Sequence, residues 1–173
     1  MHDRPTIAPA VQVYRAPRTG EQSFLLRSPS WVAHSTHFTH RTRLCPGEDR
    51  CPMCIEGILP RWLAWIAATV PGTREPGLLE LTSYLADQVA AHTNSEGTLC
   101  GVIVAIGRDR QKWPRASSFD HRPIAKEYYV DTAWVTKQLR RVLSVPDTDT
   151  WRDAAAALLR HDMEHGRLSS CHG

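Results

Sequence analysis

Cys45-Pro46-Gly47-Glu48-Asp49-Arg50-Cys51-Pro52-Met53-Cys54 gathers three thiols within ten residues, and His34, His37 and His40 precede it. Three cysteines and one histidine supply a closed tetrahedral Cys3His shell for zinc. The two-residue spacer between Cys51 and Cys54 lets a tight turn aim both thiolates at one ion, with backbone amides placed to hydrogen-bond to sulfur. Pro46 and Pro52 stiffen the turns, and Gly47 permits a positive φ. The competing explanations are ordinary buried cysteines and a redox Cys-x-x-Cys pair. The redox pair is disfavoured because no thioredoxin-like βαβ pattern surrounds it, and Cys45 lies only six positions before Cys51. Among the histidines, His37 and His40 sit at an odd separation on the approach strand, so alternation points them to opposite faces. His37, eight residues before Cys45, is the first choice of ligand, His40 the second and His34 the third. Four protein ligands leave no open position for an activated water, so the expected zinc is structural and the chain is not expected to be an enzyme.

On either side of this loop the sequence reads as strands, short runs rich in β-branched or aromatic residues and bounded by Gly or Pro. They cover Ser23 to Arg27, His37 to Leu44, Arg61 to Val70, Leu78 to Thr82 and Thr98 to Arg108, with Ala125 to Val130 a possible sixth. A short helix from Ser83 to His92, capped by Thr82 or Ser83, crosses between the fourth and fifth strands. Val135, Leu139, Val142 and Leu143 make Thr132 to Ser144 an amphipathic helix, which Pro146 stops. Thr150 can cap a last helix from Trp151 to about His165, which Gly166 would end. Five or so strands with one inserted helix point to a mainly β fold with α, an OB-fold-like β-barrel, closed or partly open, carrying the zinc loop and C-terminal helices. Another small α+β sheet is the alternative.

The expected organisation is an extended or disordered arm over residues 1–20, an OB-like zinc domain over 21–145 and a helix with tail over 146–173. The 173 residues suffice for one domain with its own core. A hydrophobic fraction of 42% and a charged fraction of 23% exclude a disordered chain and a coiled coil. No run approaches the roughly 18 apolar residues of a membrane span, and Met1 to Ala10 has no apolar core of a signal peptide. Clustered thiols point to a reducing compartment, and the cytoplasm is the expected location. Cys100 reads as a small core residue and Cys171 as a dispensable exposed thiol.

The formal net charge of +3 is mild, but its distribution is not even. Between Gly101 and Lys126, Arg108, Arg110, Lys112, Arg115, Arg122 and Lys126 face only Asp109 and Asp120, whereas residues 71–100 are acidic. Arg108, Arg110, Lys112 and Arg115 with Trp113 among them combine phosphate-binding cations and a stacking platform. Arg41 and Arg43 before the metal loop, and Arg61, Trp62 and Trp65 after it, extend the pattern. Alternation puts Arg61 and Trp65 on one face and Trp62 on the other, so one of the two tryptophans belongs to the core.

The span from about Phe24 to Arg110 resembles the zinc-containing single-stranded DNA-binding proteins of T-even phages and their phage-borne relatives. The matching residues are Ser28-Pro29, His37-Phe38, Arg41-Thr42-Arg43-Leu44-Cys45-Pro46-Gly47 and Cys51-Pro52-Met53-Cys54, followed by an aromatic strand and a basic-ended one. The resemblance implies an OB-fold, structural zinc on His37, Cys45, Cys51 and Cys54, and coating of single strands without catalysis. It also implies replication or recombination proteins as partners. The histidine sits nearer the first cysteine than in the phage prototype. The tail beyond Pro146 is only slightly acidic, so a strongly acidic recruiting tail is not expected.

Single-stranded nucleic acid, DNA rather than RNA, is the expected ligand. Two other readings compete with this one. In the first, the zinc loop and late helices recruit another protein and the barrel is a scaffold. In the second, the chain is a zinc enzyme, for which His161, Asp162 and His165 have metal-capable spacing on one helix; a solvated helix face explains those three more simply.

Overall fold

Arg61–Thr69, the longest strand, is the organising element because both of its faces are apolar. Leu63, Trp65 and Ala67 alternate with Ala64, Ile66 and Ala68, and all six are buried. Such a strand must lie in the middle of a sheet and be covered on both sides. The computed structural model describes residues 11–169, and it has this arrangement.

In chain order the elements are β1 (Val13–Tyr14), β2 (Gln22–Leu26), β3 (Val32–Phe38), β4 (Thr42–Leu44), α1 (Pro52–Ile55), β5 (Arg61–Thr69) and β6 (Gly77–Thr82). There follow α2 (Ser83–Ala90), β7 (Val102–Arg108), β8 (Pro114–His121), a 3₁₀ turn (Lys126–Tyr128), α3 (Thr132–Val142) and α4 (Trp151–Ser169). One edge of β5 pairs with β6, in a register running from Leu63 opposite Thr82 to Ala68 opposite Gly77. Its other edge is shared in succession by β3, with Val32 opposite Trp65, and by β2, with Leu26 opposite Ala68. β2 in turn pairs with β7, and β7 with β8, so the sheet is mixed and eight-stranded among the described residues.

The sheet does not close into a barrel. Its order runs β1-β6-β5-β2-β7-β8, with β3 and β4 branching from β5. Closure would require β8 to pair with β1 or β6 at the other end of that order; among the described residues β8 pairs only with β7, and β6 is flanked by β5 and by the short β1, parallel to it at Leu78 and Leu79. Side chains bridge the gap: Gln88 on α2 accepts a hydrogen bond from the Ala116 amide of β8 at 2.9 Å.

Two cores lie on opposite faces of β5 and β6. Phe24, Leu26, Ile66, Leu81, Val104 and Ile106 fill one beneath α2, whose first turn is capped when the Leu85 amide donates to Thr82 Oγ1. Trp65, Ala67 and Leu78 pack under Val135, Leu139 and Leu143 in the other. α3 starts where Asp131 accepts from the Trp134 amide at 2.7 Å.

Several elements differ from the sequence expectation. The run His37 to Leu44 is the end of β3, a turn at 39–41, and β4. Ala125 to Val130 is a 3₁₀ turn with an extended tail, held because the Val130 amide donates to the Arg27 carbonyl. β7 starts at Val102 because Gly101 turns the chain with φ +83°. β8 occupies residues read only as a basic stretch. α4 continues through Gly166 to Ser169, since a glycine ends a helix only when the backbone leaves αR there. The second half of the arm, residues 11–20, is described and contains β1; its first ten residues and Cys171 lie outside the described residues.

Candidate metal centre and the basic surface beside it

The β3–β4 hairpin and the loop after it bring four side chains together. His37 is on β3, Cys45 directly follows β4, Cys51 precedes α1 and Cys54 lies within it. Their ligand atoms all fall within 4.8 Å of one another. Cys51 Sγ and Cys54 Sγ lie 3.2 and 3.4 Å from His37 Nε2, and Cys45 Sγ is 3.7 Å from Cys54 Sγ. Cys45, Cys51, Cys54 and Cys100 are all free thiols. A compact group of one imidazole and three thiols can hold a metal ion.

Local backbone chemistry builds this loop. Gly47 has φ +116°, and its carbonyl accepts from the Arg50 and Cys51 amides, closing a turn that swings Cys51 back toward Cys45. Pro52 opens α1 at the position where a missing amide costs nothing, and the Ile55 amide donates to the Cys51 carbonyl. The Cys45 amide donates to the Ser35 carbonyl, fastening the loop to β3. Burial pushes the Cys45 thiol up and the Cys54 thiol up to about 12, and it pushes the His37 imidazole down, with Arg61 adding to that effect. Two buried thiols, a half-buried one and an imidazole form a donor set in which a bound dication would take the place of the thiol protons.

The other two histidines turn elsewhere. The His34 ring meets Trp151 edge-on at 5.7 Å, on the face packed against the helices. His40 is in the β3–β4 turn, beyond the alternation assumed for a continuous strand, and accepts from Arg41 Nε at 2.8 Å.

Behind the four ligands, Met53 and Leu159 form a third small core with the cysteines, which joins the loop to α4. Asp162 of α4 is buried and bonded to Arg43 at 2.7 and 3.1 Å and to Thr39 Oγ1 at 2.8 Å. This corrects the solvated-face reading of that helix at Asp162, while His161 and His165 remain exposed and stacked on each other at 4.0 Å.

The predicted cations and aromatics divide. Arg43 is buried by Asp162, and Trp65 is 1% exposed in the core under α3, so neither is available to a surface ligand. Arg41 is exposed in the turn of the hairpin that carries His37, and Arg61 and Trp62 are exposed at the start of the neighbouring β5. Arg61 and Arg41 line one cleft with Phe38, Arg15 and Glu80. The Arg61 guanidinium sits 5.5 Å above the exposed Phe38 ring, while Arg15 neutralises Glu80 at 3.1 Å. Sequence reading missed Phe38 as a surface aromatic. Alternation could not have found it, because Thr36, two residues before it on the same face, is buried, and Phe38 is exposed only because the strand ends there.

Arg110, Lys112, Trp113 and Arg115 are exposed on the β7–β8 hairpin, whose turn is held by Asp109 accepting from the Gln111 and Trp113 amides. Arg108 is committed within the protein: it donates to the carbonyls of Ala16, Pro17 and Lys112. The first two of those carbonyls follow Arg15, so the hairpin base is tied to the chain that borders the Phe38 cleft.

Comparison with protein-family models, with curated proteins and with solved structures finds no match in any of the three. No described helix is long and apolar enough to cross a membrane.

Proposed function

We propose that this chain is a non-catalytic single-stranded DNA-binding protein built on an OB-like frame, in which His37, Cys45, Cys51 and Cys54 hold a structural zinc ion. Zinc–sulfur bonds of about 2.3 Å in a tetrahedron put sulfurs about 3.8 Å apart. The Cys45 to Cys54 separation of 3.7 Å agrees with that edge. With four protein ligands the shell has no place for a reacting water, so the ion would brace the β3–β4 hairpin and the loop, not perform chemistry.

The observation that carries the DNA reading is the exposed Phe38 ring, at the end of the strand that supplies His37, beneath Arg61 of β5 and with Arg41 in the same cleft. Cations track the phosphates and aromatic faces stack bases. Arg110, Lys112, Trp113 and Arg115 would extend the track. The resemblance to the phage zinc proteins supports the same reading and suggests replication or recombination proteins as partners, and the clustered free thiols favour a reducing compartment such as the cytoplasm.

The test combines metal analysis of the purified chain with a fluorescence titration by oligo-dT and oligo-U over a salt series. The expected result is one zinc per chain, tryptophan quenching, tighter binding of oligo-dT, and affinity that falls as salt rises through counterion release. Zinc-loaded protein that shows neither quenching nor salt dependence would overturn the DNA reading.

A second reading, a zinc-loop module that binds another protein, is favoured by Ile55 and Leu59, which are 70% and 85% exposed on the loop. It predicts partner binding that is lost in Ile55→Ser/Leu59→Ser and kept in Arg61→Glu/Trp62→Ala.

A further inference from the structure

Arg27 closes β2, and its side chain turns inward, so that the residue is 6% exposed. Its Nε donates to the Tyr128 carbonyl, its Nη1 reaches the Arg74 carbonyl at 3.5 Å, and its guanidinium lies 5.1 Å from the Tyr128 ring centroid. Among the described residues no carboxylate forms an ion pair with it. Glu75 attracts it only from beyond ion-pair distance, and burial, the dominant influence, pushes its pKa down. A buried cation without a carboxylate partner is a costly arrangement, and such charges are normally paired.

Two further cations face the same space. Arg74 and Arg122 line a cavity of about 310 Å³ with Arg27, and among the described residues neither guanidinium makes a hydrogen bond or ion pair. Arg122 is fixed by its backbone. Its amide donates to the Gly101 carbonyl at 2.7 Å, and its own carbonyl lies 2.3 Å from where a Cβ on Gly101 would stand. The hydroxyl-bearing side chains of Thr69 and Thr73 line the cavity too, and no acidic side chain does. Three arginines lining one cavity without an acid supply the donors that bind a tetrahedral dianion.

We propose that this cavity between the end of β2, the β5–β6 connection and the segment after β8 is a binding site for a phosphate group, with Arg27 at its base and Arg74 and Arg122 at its rim. The volume is at the lower end of small-molecule sites, about 300–1,000 Å³, which leaves room for a sugar or base attached to the phosphate. Tyr128 flanks that space. The cavity is lined by different residues from those of the Phe38 cleft and does not depend on the DNA reading.

The test is an amide NMR titration of the zinc-loaded full chain with inorganic phosphate, thymidine 5′-monophosphate, thymidine and oligo-dT. Phosphate and the monophosphate should shift the amides of Arg27, Thr73, Arg74 and the 122–128 segment, and thymidine should not. Removing a charge-assisted hydrogen bond lowers affinity about tenfold or more, so Arg74→Glu/Arg122→Glu should weaken monophosphate binding by about a hundredfold or more. Both side chains are at the surface, so this variant leaves the cores intact; Arg27→Lys, which retains the charge but not the fork, should weaken binding less.

If oligo-dT moves the same amides and the double variant abolishes those shifts, the phosphate belongs to a polynucleotide backbone. If only the monophosphate and inorganic phosphate move them, it belongs to a free monoester. No shift with any phosphate, or equal affinity in the double variant, would overturn the site. Quenching of tryptophan by oligo-dT reads the DNA proposal separately, so either can fail alone.

Discussion

Arg43 and Asp162, 119 residues apart in sequence, meet through two hydrogen bonds of 2.7 and 3.1 Å with both side chains almost wholly withdrawn from water. The pair locks the strand that leads into Cys45 to the helix that covers Cys51 and Met53. Thr39 adds a third bond to the same carboxylate, so the hairpin turn, β4 and α4 move as one body.

Removing one partner strands a buried charge, at a cost of about 3–5 kcal/mol, or a fall of about 6–20 °C in Tm for a chain of this size. Asp162→Ala and Arg43→Ala should each show that loss in calorimetry. Arg43→Met/Asp162→Leu, which removes both charges, should recover most of it. If the double variant is as unstable as the singles added together, the pair is not a unit.

The pair also sets an acid dependence. The Arg43 hydrogen bond, opposed by burial and helped by Thr39, holds the Asp162 carboxyl well below the ordinary carboxylate range. A depressed carboxyl contributes stability that is fully present above its unfolded pKa of about 3.9 and is lost as pH falls below it. The stability gap between wild type and Asp162→Asn should therefore be constant from neutral pH to about pH 5 and narrow below about pH 4. Denaturant midpoints measured side by side at each pH check this, and a gap that widens in acid contradicts it.

Metal removal should act locally. The third core has only Cys45, Cys51, Met53 and Leu159 fully buried, too little apolar surface to order the loop unaided. The core beneath α2 shares none of these residues. Chelation should expose the amides of residues 45–58 and of α4 to hydrogen exchange, while β2, β5, β6 and β7 stay protected. Cys51→Ser should reproduce that pattern and lose the metal. Cys100→Ser should keep it, because Cys100 Sγ points to the Arg27 carbonyl at 3.4 Å, away from the cluster. Unaltered protection of α4 after complete chelation would contradict the bracing role.

At the basic surface, Phe38→Ala should weaken oligo-dT binding by about 1–3 kcal/mol, the contribution of one stacked base. Arg61→Ala should flatten the log–log salt slope by about 0.7, one single-strand phosphate contact. Wild-type affinity and slope in both variants would remove this cleft from the DNA path.

Gly101→Ala meets two penalties at once, since its φ is +83° and its new Cβ would fall 2.3 Å from a backbone oxygen. The expected loss is at least about 1–3 kcal/mol in stability. Weakened monophosphate binding should accompany it as Arg122 shifts. A stable variant with unaltered thermal unfolding would show the turn to be adaptable.

Much of this protein was legible in one dimension because the deciding information was local. Cys45, Cys51 and Cys54 lie within ten residues, so spacing alone brings their sulfurs within reach of one ion, and β5, α2 and α3 declare themselves by apolar period and caps. What lay beyond reach depended on partners far along the chain. Whether Arg43 or Arg41 faces water, and whether Trp62 or Trp65 fills the core, turns on where α3 and α4 come to rest, and nothing within a few residues of those side chains encodes that.

The same reason kept the choice between a closed and a partly open sheet out of reach of the sequence. β2, β5, β6 and β7 could be recognised from their own residues, whereas β1 and β8 could not, and only the folded chain assigns the edge of β6 to β1. The sequence by itself determined which residues have the chemistry to bind a cation. Tertiary structure decided which arginines remain free to bind anything else, because burial and pairing are properties of distant segments brought into contact.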